Sequence, residues 1–312
     1  MNLTVQVLLK RYRCGDVRAL AQLITLCENG ANHFTEDFVE EKEHHVVGIT
    51  GSPGVGKSSI IDELALRYVD RGERVAVVAI DPSSPFTHGA FLGDRVRMRK
   101  LSTKGVFIRS MASRGNGGGL APAITSVLKL LSGFGFSKIF LETVGIGQAE
   151  VDVANVADTV ILVLSPGIGD EIQLFKTGVM EIADIYVVNK ADLEESKKLR
   201  TLVEQTVNQG KTEGWKRRIV GTSCVEWCGF EELEEAINEH LQYLKESGEL
   251  LARRTRRRKF ALISRFLRYV RETVEKVAVE DLTLEGLKKA ICDDIIFGRE
   301  NKKDENIYQG GR

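Results

Sequence analysis

Residues 51–58 read Gly-Ser-Pro-Gly-Val-Gly-Lys-Ser, which fits the pattern G-x-x-x-x-G-K-[S/T]. A mostly apolar run at 45–50 precedes this stretch, and residues 59–70 after it place apolar side chains at helical spacing. A strand, a glycine-rich turn and a helix in this order are the setting in which the pattern forms a phosphate-binding loop. Glycine lets the backbone approach phosphate groups closely, and the amino end of the following helix adds positive potential. The stretch therefore predicts a nucleotide-binding α/β protein.

Two side chains of this stretch carry specific chemistry. Lys57 is expected to reach the β- and γ-phosphates of the nucleotide, and the Ser58 hydroxyl is expected to ligate Mg²⁺. The backbone around them is expected to wrap the phosphates with its N–H groups. The predicted nucleotide contacts of the loop are Gly51, Ser52, Pro53, Gly54, Val55, Gly56, Lys57, Ser58 and Ser59.

The charge and cysteine content narrow the class of protein. The chain of 312 residues carries 44 basic and 44 acidic side chains, so its formal net charge is zero. Balanced charge gives no electrostatic reason to expect nucleic acid or a membrane as a partner. Five scattered cysteines argue against a disulfide framework and for a reducing compartment. With neither a signal-peptide pattern nor an apolar run long enough to span a bilayer, we expect a cytoplasmic protein.

Strand and helix patterns alternate along the middle of the chain, which favours a mostly parallel sheet with helices on both faces. Glycine and proline cluster after several strands, at the edge where open α/β sheets bind their ligands. The predicted strands, rich in valine and isoleucine, are 45–50, 74–81, 105–111, 138–144, 159–165, 185–189 and 218–222.

The two ends of the chain have a different, helical pattern. We expect an N-terminal helical extension at 1–43, a phosphate-loop domain at 44–248 and a C-terminal helical arm with a polar tail at 249–312. The basic run at 253–259 has no interleaved aromatic residues, so a solvated helix face is a better interpretation than a nucleic-acid patch.

A second motif, Asn189-Lys190-Ala191-Asp192, follows the predicted strand at 185–189 and fits recognition of guanine. Asp192 can accept hydrogen bonds from the N1–H and the exocyclic amine of guanine, which adenine cannot offer. Asn189 can hold N7 and the phosphate loop, and Lys190 can cover the base face. The backbone N–H groups of Ser223, Cys224 and Val225, after the next strand, are expected near the guanine oxygen.

Three acidic residues are candidates for the Mg²⁺ site beside Ser58. Glu142 stands where many GTPases carry the acid of an Asp-x-x-Gly motif, and the N–H of Gly145 would then face the γ-phosphate. Asp81 ends a strand at the same edge, and Asp94 follows the next loop. Structural roles remain open for both, a turn before proline for Asp81 and a helix cap for Asp94.

The residues for hydrolysis look incomplete. In Ras-like proteins a glutamine directly follows the glycine of Asp-x-x-Gly and orients the attacking water. Ile146 has that place here, and Gln148 comes two residues later. We therefore expect slow turnover by the isolated chain and faster turnover when a partner completes the site.

Taken together, the motifs resemble the MeaB/ArgK/MMAA family of GTPases, within the wider group that assists metalloenzyme maturation. The resemblance runs from about residue 15 to residue 295 and rests on GSPGVGKSS (51–59), AIDPSS (79–84), LGDR (92–95), ETVGIGQ (142–148) and NKAD (189–192). It implies a chaperone of an adenosylcobalamin-dependent acyl-CoA mutase, methylmalonyl-CoA mutase or a relative, that gates cofactor loading and protects or reactivates the enzyme.

The resemblance also implies roles for individual residues. Asp81, Asp94 and Glu142 would complete the Mg²⁺ shell with Ser58. A switch at 169–176 would sense the partner, with Asp170 and Lys176 as its functional side chains, although a solvated helix start is an alternative there. A homodimer would form through the C-terminal helices. The apolar stripe that agrees with this consists of Phe260, Leu262, Ile263, Phe266, Leu267, Val270 and Val274.

Two other functions remain as alternatives. One is a metal-insertion GTPase of the nickel-chaperone type, which would itself carry metal. The other is a kinase attached to a transport system, after an older label of the same family.

Overall fold

A seven-stranded sheet, parallel throughout, forms the centre of the protein. The computed structural model describes residues 3–31, 34–81, 101–112, 120, 123–143, 145, 149–167, 178–208, 214–276, 283–286 and 288. The strands are β1 (His45–Thr50), β2 (Val75–Asp81), β3 (Phe107–Ala112), β4 (Lys138–Glu142), β5 (Thr159–Leu164), β6 (Ile185–Asn189) and β7 (Arg218–Thr222). All seven predicted strands are confirmed.

The strand order is β3-β2-β4-β1-β5-β6-β7. The first strand thus lies at mid-sheet between β4 and β5, and all seven strands end at the same edge. The phosphate loop after β1 and the guanine motif after β6 consequently share the carboxyl edge, as open α/β sheets require of a ligand site.

Helices flank the strands and extend from both ends of the chain. They are α1 (Leu3–Arg13), α2 (Val17–Glu28), α3 (Phe34–Phe38), α4 (Lys57–Asp70), α5 (Ile124–Phe134), α6 (Ala149–Asp152), α7 (Val179–Ile182), α8 (Glu194–Asn208), α9 (Phe230–Glu246) and α10 (Glu249–Lys276), with a 3₁₀ turn at Val153–Asn155.

Alternate residues of β5 show how both faces of the sheet are covered. Ile161 and Val163 pack in a core cluster with residues of α4 and α9. Leu162 and Leu164 pack in a second cluster with residues of α7 and α8. Successive side chains of a strand point to opposite faces, so a nearly continuous apolar run is what a strand between two helical layers needs.

The chain divides into two units, residues 1–258 and 259–312. The first contains the sheet, helices α1 to α9 and the start of α10. In the second, α10 exposes the large apolar side chains Leu262, Ile263, Phe266 and Leu267. The domain boundaries at 43 and 248 stay a prediction. In the parts of the chain that the structure describes, no helix is both long and apolar enough to cross a membrane.

A buried hydrogen-bond chain crosses the amino ends of β4, β1 and β5, opposite the phosphate loop. Lys138 Nζ lies 3.1 Å from His45 Nδ1, His45 Nε2 lies 2.7 Å from Thr159 Oγ1, and Thr159 Oγ1 lies 2.8 Å from Nδ1 of His240 on α9. An ammonium can only donate, so His45 accepts at Nδ1 and donates from Nε2, and the Thr159 hydroxyl donates onward. Neutral His240 then carries its single ring proton on Nε2, which lies 3.4 Å from Oδ1 of Asp184.

The start of α10 is attached to the same end of the sheet by ion pairs. Arg253 donates two hydrogen bonds of 2.7 Å to the carboxylate of Asp184, and Arg257 donates one of 2.5 Å to Asp158. Asp158 also accepts a bond from the backbone N–H of Val46 in β1. The interpretation of the basic run 253–259 as a solvated face is therefore wrong for Arg253 and Arg257, because buried carboxylates lie beneath this part of the helix.

We expect the folded chain to lose stability as the pH falls from 7.5 to 5. Burial lowers the pKa of His240 to about 4, and it also lowers the pKa of His45. In the unfolded chain these two histidines bind protons as the pH falls through 6.5, whereas in the folded chain they stay neutral until a lower pH. The free energy of unfolding is therefore greatest above pH 6.5 and falls as the pH approaches 4. The loss at pH 5 is about 2 kcal/mol for His240 alone. Urea unfolding at the two pH values measures it.

His240→Gln is the control for this effect, since glutamine has no proton to gain. The variant is expected to be less stable at pH 7.5 but to lose less stability on acidification. An equal loss in the variant and the parent would contradict the role of His240.

Candidate nucleotide-binding site

The phosphate loop connects β1 to α4, and its last glycine is the residue before the helix. Gly56 has φ +98°, a conformation that favours glycine, and a Cβ there would lie 2.2 Å from Nδ2 of Asn189. The glycine therefore lets the phosphate loop and the end of β6 pack against each other without an intervening side chain.

Lys57 is buried, with 6% of its surface exposed, and points back into its own loop. Its Nζ donates to the carbonyl oxygens of Gly51 at 2.6 Å and Ser52 at 3.0 Å. Burial lowers the pKa of Lys57, while the carboxylates of Glu142 and Glu150 act in the opposite direction. The carbonyl oxygens are neutral, so the ammonium keeps its full positive charge and can bind an incoming anion.

Ser58 and Glu142 meet at the start of α4. The Ser58 hydroxyl donates to Oε1 of Glu142, which ends β4. Hydroxyl and carboxylate oxygens are the hard ligands that Mg²⁺ takes in proteins, so this pair fits a magnesium site. Glu142 is level with Ala79 of β2, two residues before Asp81 at the end of that strand. The side chain of Asp81 and the whole of Asp94 lie outside the described residues.

Gly145 brings the chain after β4 against the phosphate loop. It has φ +95°, and a Cβ there would lie 2.6 Å from the Gly51 carbonyl oxygen and 2.7 Å from Lys57 Nζ. The backbone at 145 thus touches the loop beside the lysine that is expected to bind phosphate. Gln148, Asp170 and Lys176 lie outside the described residues.

Asn189 joins the guanine motif to the phosphate loop. Its Nδ2 donates to the Val55 carbonyl oxygen at 2.8 Å, and its Oδ1 accepts from the Thr222 hydroxyl at 3.0 Å. Of its two predicted contacts, the one with the loop is present in the structure. A contact with N7 of guanine stays a prediction.

Ser223 orients Asp192, the expected guanine acceptor. The Ser223 hydroxyl donates to Asp192 Oδ1 at 2.5 Å and accepts from the backbone N–H groups of Val225 and Glu226 at 3.2 and 3.1 Å. Ser223 and Cys228 also exchange two backbone hydrogen bonds, which close the turn between them. Among the described residues no hydrogen bond to the second oxygen of Asp192 is found, so this oxygen can accept from a ligand.

The remaining residues of the base site lie around this turn. Lys190 has φ +58°, an uncommon conformation for lysine that occurs where the chain turns sharply after β6. Cys224 is half-buried, and burial raises the pKa of its thiol, so its side chain stays uncharged. Val225 is exposed.

Two buried polar atoms at this edge were not predicted as site residues. Oε1 of Glu150 and Oγ of Ser165 are buried without a hydrogen-bond partner among the described residues. Glu150 lies on α6, two residues after Gln148, and Ser165 directly follows β5. Neither residue belongs to a recognisable sequence motif, so their place at the site becomes visible only in the folded chain. Unpaired polar atoms at an edge with a phosphate loop favour a polar ligand there.

The sequence matches the family "Methylmalonyl Co-A mutase-associated GTPase MeaB" over residues 20–281. A Pyrococcus horikoshii protein assigned to the GTPases is 46% identical over 262 residues, which cover 81% of this chain and 83% of that protein. The "Methylmalonic aciduria type A homolog, mitochondrial" of Caenorhabditis elegans is 34% identical over 277 residues, covering 80% of this chain and 69% of that protein.

Two further similar proteins are one from Escherichia coli and one with a crystal structure. The Escherichia coli "GTPase ArgK" is 33% identical over 258 residues, which cover 78% of this chain and 77% of that protein. A crystal structure named "LAO/AO transport system kinase" superposes with a TM-score of 0.66 at 25% identity and covers 93% of this chain and 97% of that one.

Proposed function

Because the chain belongs to the family of methylmalonyl-CoA mutase-associated GTPases called MeaB, we propose that it binds and hydrolyses GTP to assist an adenosylcobalamin-dependent acyl-CoA mutase. The chain is a GTPase, as its relatives are. The mutase is the finer part of the proposal, and the name of the family supports it. The partner would be methylmalonyl-CoA mutase or a related enzyme; the chain would assist the loading of its cofactor and would protect or reactivate the enzyme.

The observation that carries the GTP site is the hydrogen bond from Asn189 to Val55. It joins a phosphate loop and a guanine motif into one surface, as a ligand with guanine at one end and phosphates at the other requires. In the proposed complex Lys57 exchanges the carbonyls of Gly51 and Ser52 for β- and γ-phosphate oxygens. Asp192 then accepts from the guanine edge with the oxygen that Ser223 leaves free.

Ser58 and Glu142 would hold Mg²⁺, with Asp81 and Asp94 as the further proposed ligands. When bound, the ion supplies positive charge that offsets the charge developing on the β- and γ-phosphate oxygens. The residues themselves would position the phosphate chain: Lys57 would bind its oxygens, and the backbone N–H of Gly145, which lies beside Lys57, is proposed to face the γ-phosphate. Gln148 is the candidate for orienting the attacking water.

Hydrolysis by the chain alone is expected below about 0.01 s⁻¹ and is expected to rise at least about tenfold when the purified mutase is added. Ile146 stands where Ras-like proteins carry the water-orienting glutamine, so a partner is needed to complete the site. Steady-state phosphate release measures both rates. Fast turnover without a partner, or no effect of the mutase, would contradict the proposal.

Lys176→Ala is expected to lower the mutase-stimulated rate about tenfold or more, since Lys176 is proposed to stabilise the transition-state charge. Lys198→Ala, at an exposed position of α8, is the matched control. Asp170→Ala tests the second residue of the same switch. Equal stimulated rates in the Lys176 and Lys198 variants would exclude the lysine from this role.

The two alternative functions give different results in the same preparations. A metal-insertion GTPase would bind nickel stoichiometrically as the purified apo-protein. A transport-system kinase would move labelled phosphate from GTP onto a binding protein rather than into solution.

We also propose a homodimer through the C-terminal arm. Four exposed apolar side chains of α10, at 262, 263, 266 and 267, are spaced along one helix and support association. Sedimentation equilibrium of the parent and of Phe266→Glu tests it, because a charge within the contact would favour the monomer.

A further inference from the structure

We propose that Glu150 senses the terminal phosphate of the nucleotide: its carboxylate takes up a proton from solvent when GTP binds beside Lys57, and far less so when GDP binds. Glu150 thereby sets the preference of the site between the two nucleotides. The proposal rests on GTP binding at the site described above and adds a positioning residue to it.

The first observation is the burial of Glu150, one of whose carboxylate oxygens is buried without a hydrogen-bond partner among the described residues. Glu150 is 6% exposed, and its Oε1 has no partner among the described residues. A buried ionised carboxylate is costly unless it is paired, and most buried polar atoms in proteins are bonded. Glu150 therefore depends on a nearby charge for its ionised form.

That charge is Lys57. Burial raises the pKa of Glu150, and Lys57 is the charged group that acts in the opposite direction. Glu142 and, to a smaller extent, Glu150 support the ammonium of Lys57, because both carboxylates act against the lowering of its pKa by burial. In the site without nucleotide the two residues stabilise each other's charge, although the hydrogen bonds of Lys57 go to backbone carbonyls.

A γ-phosphate changes this balance. Once Lys57 bonds to phosphate oxygens, its charge is shared with an anion, and Glu150 meets like charge in a poorly solvated place. GDP ends at the β-phosphate and places less negative charge near Lys57. The carboxylate must then move away or accept a proton, and the triphosphate drives this more strongly than the diphosphate.

The element that carries Glu150 favours the proton over movement. Helix α6 continues directly into the 3₁₀ turn, where Val153 is fully buried, and Asp152 Oδ2 accepts from the Leu120 N–H at 3.4 Å. These contacts hold the backbone that directly follows Glu150.

The other charged groups around α6 do not replace Lys57. Glu142 of β4 and Asp152 of α6 itself are acidic, and so is Glu181 on α7, which packs against α6. None of the three is basic, so none can compensate for the engagement of Lys57 by phosphate, and Lys57 is the one charged group found to act on the pKa of Glu150 among the described residues.

The test compares proton uptake in the full chain and in Glu150→Gln. Calorimetric titrations with GTPγS and with GDP, both with Mg²⁺ at pH 7, are run in buffers of different ionisation enthalpy, which yields the number of protons bound. The parent is expected to bind about half a proton to one proton more than Glu150→Gln with GTPγS, and nearly the same number with GDP. Protonation of the ligand itself is common to both proteins and cancels in the comparison.

The affinities give a second readout. Glu150→Gln is expected to bind GTPγS about tenfold more tightly than the parent and GDP less than about threefold more tightly, as one pKa unit of interaction implies. Glu181→Gln, the same change at an exposed position of the neighbouring helix, is expected to leave both affinities unchanged. A purely structural role for Glu150 would alter both affinities alike and would not change the proton count.

The outcomes separate this inference from the proposed function. Equal proton counts in the parent and Glu150→Gln, or an unchanged ratio of the two affinities, would overturn the role of Glu150 alone. A parent that binds neither nucleotide would overturn the proposed function. If Glu150→Gln does not fold, the affinities of the parent are measured at two pH values instead. Its preference for GTPγS over GDP is expected to increase about fivefold between pH 8 and pH 6.5. A preference that does not change with pH would overturn the inference.

Discussion

Replacing Lys57 with alanine is expected to lower the affinity for GTP about 100-fold or more. Hydrogen bonds to charged groups contribute roughly 1.5–3 kcal/mol each, and Lys57 is positioned to give up two carbonyl contacts for phosphate oxygens. The helix N-terminus and the loop N–H groups remain in the variant, so weak binding persists. Isothermal titration with GTPγS and Mg²⁺ measures the change.

The control for this variant has to separate binding from folding. Lys57 is buried, so its removal could disturb the loop, and thermal unfolding without nucleotide measures that disturbance. We expect unfolding temperatures of the parent and Lys57→Ala to lie close together without nucleotide and to separate when GTPγS is added, since only a bound ligand stabilises. Equal affinities of the parent and Lys57→Ala for GTPγS would contradict the role of the phosphate loop in binding the nucleotide.

Replacing Asp192 with asparagine is expected to change the base that the protein prefers. In the structure Ser223 donates to Asp192 Oδ1 and leaves the other carboxylate oxygen for the ligand. Asparagine can keep its Oδ1 on Ser223 and present an amide N–H₂ where the carboxylate accepted. Guanine offers donors at that edge, whereas xanthine offers a carbonyl in place of the amine. We therefore expect about a 100-fold loss for GTP and a gain for xanthosine triphosphate.

Competition binding with the two triphosphates measures this exchange. Asn208→Asp, a change of the same size at the end of α8, serves as a control outside the site. If Asp192→Asn bound GTP as tightly as the parent and ignored xanthosine triphosphate, the assignment of the guanine motif would be wrong.

The strands could be predicted because buried parallel strands have an unusually simple composition. Runs such as 160–164 are apolar at every position, and glycine, proline or acidic residues lie close to their ends. The observed strand ends differ from the predicted ones by one or two residues. Strand β3 begins at Phe107 where 105 was predicted, and β4 ends at Glu142 where 144 was predicted. The strand order lies beyond such local patterns, because it depends on which helix crosses which face.

The site shows the same division between local and long-range information. The phosphate loop and the guanine motif are contiguous in sequence, so their residue types and spacing were sufficient to find them. Glu150 could not be found in this way, because its significance comes from its burial near Lys57, more than ninety residues earlier in the chain.

The basic run at 253–259 shows where composition misleads. Seven residues with six positive charges look like a surface segment, yet Arg253 and Arg257 lie over Asp184 and Asp158. The two aspartates are single acidic residues just before β5 and β6, and no local pattern marks them as partners of a helix about seventy to a hundred residues away. Buried ion pairs of this kind are visible only in the folded chain.

The bond from Asn189 to Val55 has a consequence for which ligands the protein can accept. It holds the two ends of the site at a constant separation before any ligand arrives, so the cost of bringing them together is met during folding. A free nucleobase or an inorganic pyrophosphate satisfies only one end. A nucleoside triphosphate of the right span satisfies both at once, and the second contact then forms at high effective concentration. Recognition therefore includes a test of molecular length, in addition to base identity and charge.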